Sequence, residues 1–444
     1  MTIQVLYDIS ILGIRHRDQK SFGISRSTES LLRSLLTRPD LSIAASSDLT
    51  FNVWFYARLF LAESDLGDRL PWLSTAFNAQ IRDKLSQLFL KDEKFSNFVH
   101  FLQRNKCFQT PESLNQLYQL RYQLVNYQFT GTPNRNLDNI EIYHSAYYPI
   151  PDQVKRHKKI KSLLTIHDLI PILHPEWCGM LGNDVKYFHP EFNLPKTLAT
   201  IDPDTWIICP SEATKNDLCN HLEQQLDPAK VFVTPWGVSQ QFQPCQNPDQ
   251  IRAVKQKYRI PDVQYLLCLS TLEPRKNVDG VIRAFRAAIK QEKIHDLAIV
   301  IAGALGWQYE PIFREAHRFP RLAPRIIFTG SVAEEDLATL YGGALAFVYP
   351  SFYEGFGLPP LEAMRCGTPV ITSNSSSLPE VVGDAALLVD PRDEAAIADC
   401  ILRIYQSPKL RQTLTEKSLQ QSQKFSWERC AQATVDVYHQ ALNS

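Results

Sequence analysis

Short apolar runs recur along this chain, each closed by a turn signal and followed by a stretch of helical spacing. Val5-Leu6-Tyr7 ends at Asp8, and residues 162–166 end at His167-Asp168. Trp206–Cys209 runs into Pro210-Ser211, where the serine suits the cap of a polar helix reaching toward Leu226. Residues 231–234 end at Pro235-Trp236-Gly237. A second series follows at 265–269, 298–302, 326–329, 346–349, 370–372 and 386–389. Near-continuous apolarity of this kind predicts strands buried on both faces, as in parallel sheets covered by helices. Alternation with helical stretches is the α/β signature. The Pro- and Gln-rich stretch 240–249 separates the two series. We therefore expect two doubly wound domains, 1–240 and 241–425. A last helix over 426–444, with Ser426 as cap and Glu428 near its start, is expected to pack back on the first domain. Residues 56–135 break the pattern with Leu, Gln, Arg and Phe at helical spacing, and read as a helical insertion in the first domain.

At 444 residues the chain exceeds one ordinary core, which agrees with two domains. Hydrophobic content of 44% and charged content of 21% are those of a soluble globular protein. A formal net charge of zero argues against bulk nucleic-acid binding. No apolar stretch approaches the roughly 20 residues needed to span a bilayer. No signal peptide is visible, and the nine cysteines are scattered without CxxC pairs or metal spacing. A reducing cytoplasm is the compartment we expect. Cys209, Cys268 and Cys366 read as buried small hydrophobes.

The most informative segment is SFYEGFGLPPLEAMRCG, from Ser351 to Gly367. Glu354 and Glu362 bracket a glycine-rich turn that opens a helix. Pro359 and Pro360 suit the first helical turn, where a missing N–H matters little, and Gly367 suits a left-handed C-terminal cap. The amides of Phe356, Gly357 and Leu358 then form an anion site at the helix N-terminus. Carboxylates flanking an anion site suit a ligand with hydroxyls on each side of a phosphate, such as a nucleotide sugar. Glu354 follows the strand 346–349, where ligands of such folds bind. Reading this as an exposed loop, we expect Glu354→Gln to spare the fold.

These residues resemble retaining glycosyltransferases of family 4, which have the GT-B fold of two Rossmann-like domains facing a cleft. EGFGLPPLE resembles that family's Glu-x7-Glu motif. Gly23-Ile24-Ser25-Arg26, opening a helix after the first strand, resembles its glycine loop. Residues 165–171, TIHDLIP, and 271–277, TLEPRKN, resemble its IHDLIP-type and donor-phosphate segments, and Gly330-Ser331-Val332 its base-binding turn. The family often carries a further Arg before the donor-phosphate pair, where this chain reads Leu269-Ser270-Thr271.

The resemblance implies that Glu354 contacts sugar hydroxyls and Glu362 the ribose. It implies that His167 lies near the reacting sugar. Arg275 and Lys276, near a strand's carboxyl end, can neutralise a diphosphate leaving group. Arg26 and Val332 join the donor site with Gly23. Asp168 either orients His167 or caps the following turn. No cofactor or metal is expected. Asp202-Pro203-Asp204 matches a metal-binding DxD tripeptide but reads better as a turn. The basic run Lys155, Arg156, His157, Lys158, Lys159 and Lys161 reads first as a solvated loop, against contact with anionic lipid at a membrane periphery or with a phosphorylated acceptor.

The expected activity is transfer of a hexose, with mannose from GDP-mannose first, to a saccharide or lipid-linked acceptor. A UDP-sugar donor, a pyridoxal-phosphate-dependent phosphorylase and a non-catalytic nucleotide-sugar module are the competing readings.

Overall fold

The computed structural model describes residues 2–18, 23–47, 51–73, 137–178, 194–245 and 247–444. Two six-stranded sheets, all their pairings parallel, form the frame. The first contains β1 (Ile3–Asp8), β2 (Leu41–Ser46), β3 (Ile142–Ser145), β4 (Lys161–Thr165), β5 (Trp206–Cys209) and β6 (Val231–Val233), in spatial order β2-β1-β3-β4-β5-β6. The second contains β7 (Gln264–Leu269), β8 (Leu297–Ala302), β9 (Ile326–Gly330), β10 (Ala346–Tyr349), β11 (Val370–Ser373) and β12 (Ala386–Val389), in order β12-β11-β10-β7-β8-β9.

Every apolar run expected as a strand is one, within a residue or two. Two strands escape the apolar-run criterion. β2 reads LSIAAS, with small and polar residues suited to its place at the sheet edge. β3 reads IYHS and is buried throughout, His144 and Ser145 included. Its polar groups are satisfied internally. His144 Nδ1 is bonded to Tyr438 Oη at 2.7 Å and Nε2 to Thr165 Oγ1 at 2.8 Å, as a buried imidazole requires.

That bond brings in the helix Trp427–Asn443, capped by the Ser426 hydroxyl accepting from the Arg429 amide. Cys430, Ala431, Val435, Tyr438 and Ala441 of this helix are buried in the first domain's core beside Val5, Tyr7 and Leu31. A Cβ on Gly237 would meet the Trp427 backbone nitrogen at 2.1 Å, so glycine permits the chain to cross there.

The helix Gly23–Leu35 opens at Gly23, but the helix Ser10–Asp18 lies between it and β1. Of the helical insertion expected over 56–135, residues 56–73 are described, and there the helix Phe51–Glu63 precedes a bridge from Trp72 to Ala45. Its remainder lies outside the described residues. Among the described residues no helix is long and apolar enough to cross a membrane.

In the second sheet the strand order reverses between β7 and β10. A doubly wound sheet opens a ligand crevice at such a switch point, beyond the carboxyl ends of the two strands. The loops leaving these strands are 270–277 and 350–357, which carry the two motifs singled out above.

Candidate active site

The segment after β10 folds as its residues dictate. The helix Leu358–Arg365 begins with its prolines in the first turn. Gly357 has φ +122°, a conformation that disfavours any side chain. Gly367 ends the helix at φ +76°, and the Thr368 amide reaches back to the Ala363 carbonyl at 3.0 Å. Among the described residues, the amides of Phe356, Gly357 and Leu358 donate to no protein acceptor. Open amides at a helix start are the arrangement expected for an anion site at this turn.

Glu354 is 9% exposed, which corrects the expectation of an exposed loop. Its Oε1 accepts from Lys276 Nζ at 2.6 Å and from Tyr349 Oη at 2.8 Å, and its Oε2 pairs with Arg275 Nη1 at 2.8 Å. Burial pushes its carboxyl up, but Arg275 and Lys276 outweigh burial and hold it at about 2. Arg275 also donates to the Tyr353 carbonyl at 2.6 Å and to Glu273 Oε1 at 2.7 Å. Burial, with Arg275 alongside, lowers the Lys276 ammonium from its ordinary value. The cluster thus joins two cations to two carboxylates at the switch point.

Glu362 is also buried, with Tyr341 Oη donating to Oε2 at 3.0 Å. Arg26 of the first domain donates to its Oε1 at 2.7 Å, so Arg26 meets the donor motif through a carboxylate. Burial raises the Glu362 carboxyl, against the pull of Arg26 and Tyr341. Gly23 is exposed, and a Cβ there would meet nothing within 4 Å among the described residues, so no packing demand among them selects glycine at this helix start.

His167 and Gly355 touch across the cleft. A Cβ on Gly355 would lie 2.1 Å from the His167 carbonyl oxygen. The Ser211 hydroxyl caps the helix Glu212–His221 and donates to the Gly355 carbonyl at 2.7 Å. Glu380 accepts from the amides of Glu212 and Ala213, both at 2.8 Å. These contacts hold His167 against the Glu354 loop. His167 Nε2 is 2.6 Å from the Ala146 carbonyl, so this nitrogen carries the proton. Nδ1 is buried with no partner among the described residues and presents a lone pair. Burial lowers the ring to about 4, partly offset by the Ala146 carbonyl, and keeps it neutral near pH 7.

Asp168 does not orient this ring. Its Oδ1 accepts from the Ile170 amide at 3.0 Å, so it caps the following turn. Its carboxyl is raised by burial and lowered by Arg275, which places it within the field of the second-domain cluster.

A cavity of about 280 Å³ lies beyond β8 and β9, lined by Leu272, Gly303, Phe328, Gly330 and Ser331 among others. It adjoins the turn expected to hold a base. Val332 is not in its lining; that side chain packs toward the cluster of Leu337 and Leu340. Asp202 is a turn residue, accepting from Asp204 and Thr205 and paired with Lys155 at 3.1 Å. Among the described residues no group of three or more His, Cys, Asp or Glu could hold a metal ion. In the basic run, Lys155, His157 and Lys161 have protein partners, while Lys158 and Lys159 are exposed.

Sequence reasoning missed Glu273, Tyr349 and Tyr341. Glu273 stood inside a quoted motif, Tyr349 closed an apolar run, and Tyr341 lay in no segment singled out. Only the fold shows their hydroxyls turned onto Glu354 and Glu362.

The profile of the family described as Glycosyl transferases group 1 matches residues 250–421. The chain is 34% identical over 297 residues to O-antigen chain mannosyltransferase B of Escherichia coli, covering 67% of this chain and 74% of that one. It is 33% identical over 288 residues to the serotype-specific mannosyltransferase WbdA of the same organism, covering 64% of this chain but 34% of that longer protein. A solved glycosyltransferase from Rickettsia africae ESF-5 superposes with a TM-score of 0.64 at 16% identity, covering 100% of this chain and 99% of the other, and shares the fold. Two parallel sheets facing across this cleft are the GT-B architecture, and the chain belongs to the group 1 glycosyl transferases.

Proposed function

We propose that this glycosyltransferase moves mannose from GDP-mannose, with retention and without a metal ion, to a saccharide or lipid-linked acceptor. The observation that carries the reading is the juxtaposition at the switch point. Arg275, Lys276 and the amides of Phe356 to Leu358 converge where a diphosphate would leave, with Glu354 beside them and His167 opposite. The mannosyl part draws on the relatives, which are named as mannosyltransferases.

In this reading the cavity beside Gly330 and Ser331 takes the base and Glu362 the ribose. Glu354 binds hydroxyls of the sugar. His167 accepts a hydrogen bond from a sugar hydroxyl through Nδ1, since its other nitrogen is occupied. Preorganised cations and amides stabilise the charge that grows on the departing diphosphate. The described residues offer no strong base behind the anomeric carbon. The departing phosphate is then the base nearest the incoming hydroxyl: it takes that proton as the new glycosidic bond forms on the face it leaves. Two measurements test this. A thermal-shift screen of GDP, UDP and ADP sugars should single out GDP-mannose, because a ligand of the native state raises stability by mass action. Proton NMR of the product should then show an α linkage from the α-donor. A β product would overturn the mechanism, and stabilisation by UDP sugars alone would overturn the donor.

A further inference from the structure

Glu273 is 2% exposed and carries a carboxylate that the reaction outlined above does not use. Burying a carboxylate is unfavourable unless it is paired and hydrogen-bonded. Its side-chain partner among the described residues is Arg275, at 2.7 Å from Nη2 to Oε1. The loop does not need that bond for its shape. The Glu273 carbonyl accepts from the Lys276 amide at 3.1 Å. The Arg275 carbonyl accepts from the Phe352 amide at 2.9 Å and from the Ser351 hydroxyl at 3.1 Å. Asn277 ties the end of the loop to the carbonyls of Pro350 and Pro391. What the Glu273 side chain adds is a hold on one guanidinium nitrogen, while Nη1 faces Tyr353 and Glu354.

The charges sharpen the point. Arg275 and Lys276 are balanced by Glu273 and Glu354 before any ligand arrives. A carboxylate that turns toward sugar hydroxyls gives up part of its grip on the cations. Glu273 then remains as the fixed partner of Arg275. We propose that Glu273 is a positioning residue that pins Arg275 for the donor's diphosphate and offsets part of its charge, so that the nucleoside diphosphate product is released. The inference rests on the donor site proposed above.

Calorimetric titration with GDP, and with UDP in parallel, tests it on wild type, Glu273→Gln, Glu273→Ala and Arg275→Ala, with unfolding midpoints measured for each. Gln keeps an oxygen to accept from Arg275 but removes the charge, and Ala removes both. Removing a negative charge beside an anion site should tighten nucleotide binding in the Gln variant by about fivefold, with a lower kcat as release slows. The Ala variant should bind about tenfold more weakly with a raised donor KM, because Arg275 is no longer held. Should the Ala variant not fold, the comparison of Gln with wild type carries the test alone. Binding within twofold of wild type in the Gln variant, or weaker binding there, would overturn the role of Glu273. Loss of binding in Arg275→Ala would at the same time leave the donor site standing. Unaltered binding in Arg275→Ala, or no nucleotide binding by wild type, would remove the donor site and this role together.

Discussion

Arg26, on a first-domain helix, donates through Nη2 to Oε1 of Glu362 in the second domain at 2.7 Å. One motif glutamate is therefore set by a side chain from across the cleft. In the proposed donor site this pair would tie the Glu362 carboxylate to the first domain. Loss of Arg26 leaves a buried carboxylate with Tyr341 as its remaining side-chain donor among the described residues. A hydrogen bond to a charged group is worth about 1.5–3 kcal/mol, so Arg26→Ala should raise the donor KM about tenfold or more. Arg26→Lys should recover part of it, and kcat should move less. Steady-state kinetics with varied donor check this, and an unchanged KM would take Arg26 out of the donor site.

Glu354→Gln should remove most activity, a loss of roughly 2–4 kcal/mol of transition-state stabilisation. It should also destabilise the fold, because the group is buried and paired with both Arg275 and Lys276. Breaking a buried pair from one side typically costs about 3–5 kcal/mol. The carboxyl is held at about 2, below its unfolded value. Its contribution to stability is therefore present above the unfolded pKa near 4.5 and lost as pH falls through about 2. Urea titrations across that window should show a slope in wild type that shrinks in the Gln variant. Full turnover in the variant would discard the assignment.

His167 should stay neutral through the working range. Its ring is lowered to about 4, chiefly by burial, and the neighbouring His144 is lowered to about 3 by burial and by His167. An unfolded histidine binds its proton near 6.5. The unfolded state thus holds more protons below that pH, and stability should fall as pH drops from about 6.5 toward 4. Imidazole NMR should show no His167 titration between pH 5.5 and 8. A midpoint near 6.5 would contradict the buried, Nε2-protonated ring.

Chelators should leave turnover unchanged. Asp202, the strongest DxD candidate, has its oxygens committed to Asp204, Thr205 and Lys155. Arg275, Lys276 and the helix amides can meet the diphosphate charge in place of a cation. Assays with and without EDTA decide this, and activity restored only by added manganese would reverse the conclusion.

The sequence alone determined the alternation of strands and helices and the pairing of motif with loop. Each is a local matter. Apolar runs report strands buried on both faces, and Pro359, Gly357 and Gly367 report backbone conformations that few other residues adopt. β3 stayed hidden because His144 and Ser145 are polar, and their burial makes sense only once Tyr438 and Thr165 are beside them. Likewise, Glu354 and Glu362 were legible as acids at the right spacing, but not as buried acids. Their partners lie 78 residues away at Lys276 and 336 residues away at Arg26, so only the fold could bring these charges together. The same holds for His167. Burial and the Ala146 carbonyl set which nitrogen is protonated, and both depend on how β3 and β4 lie side by side.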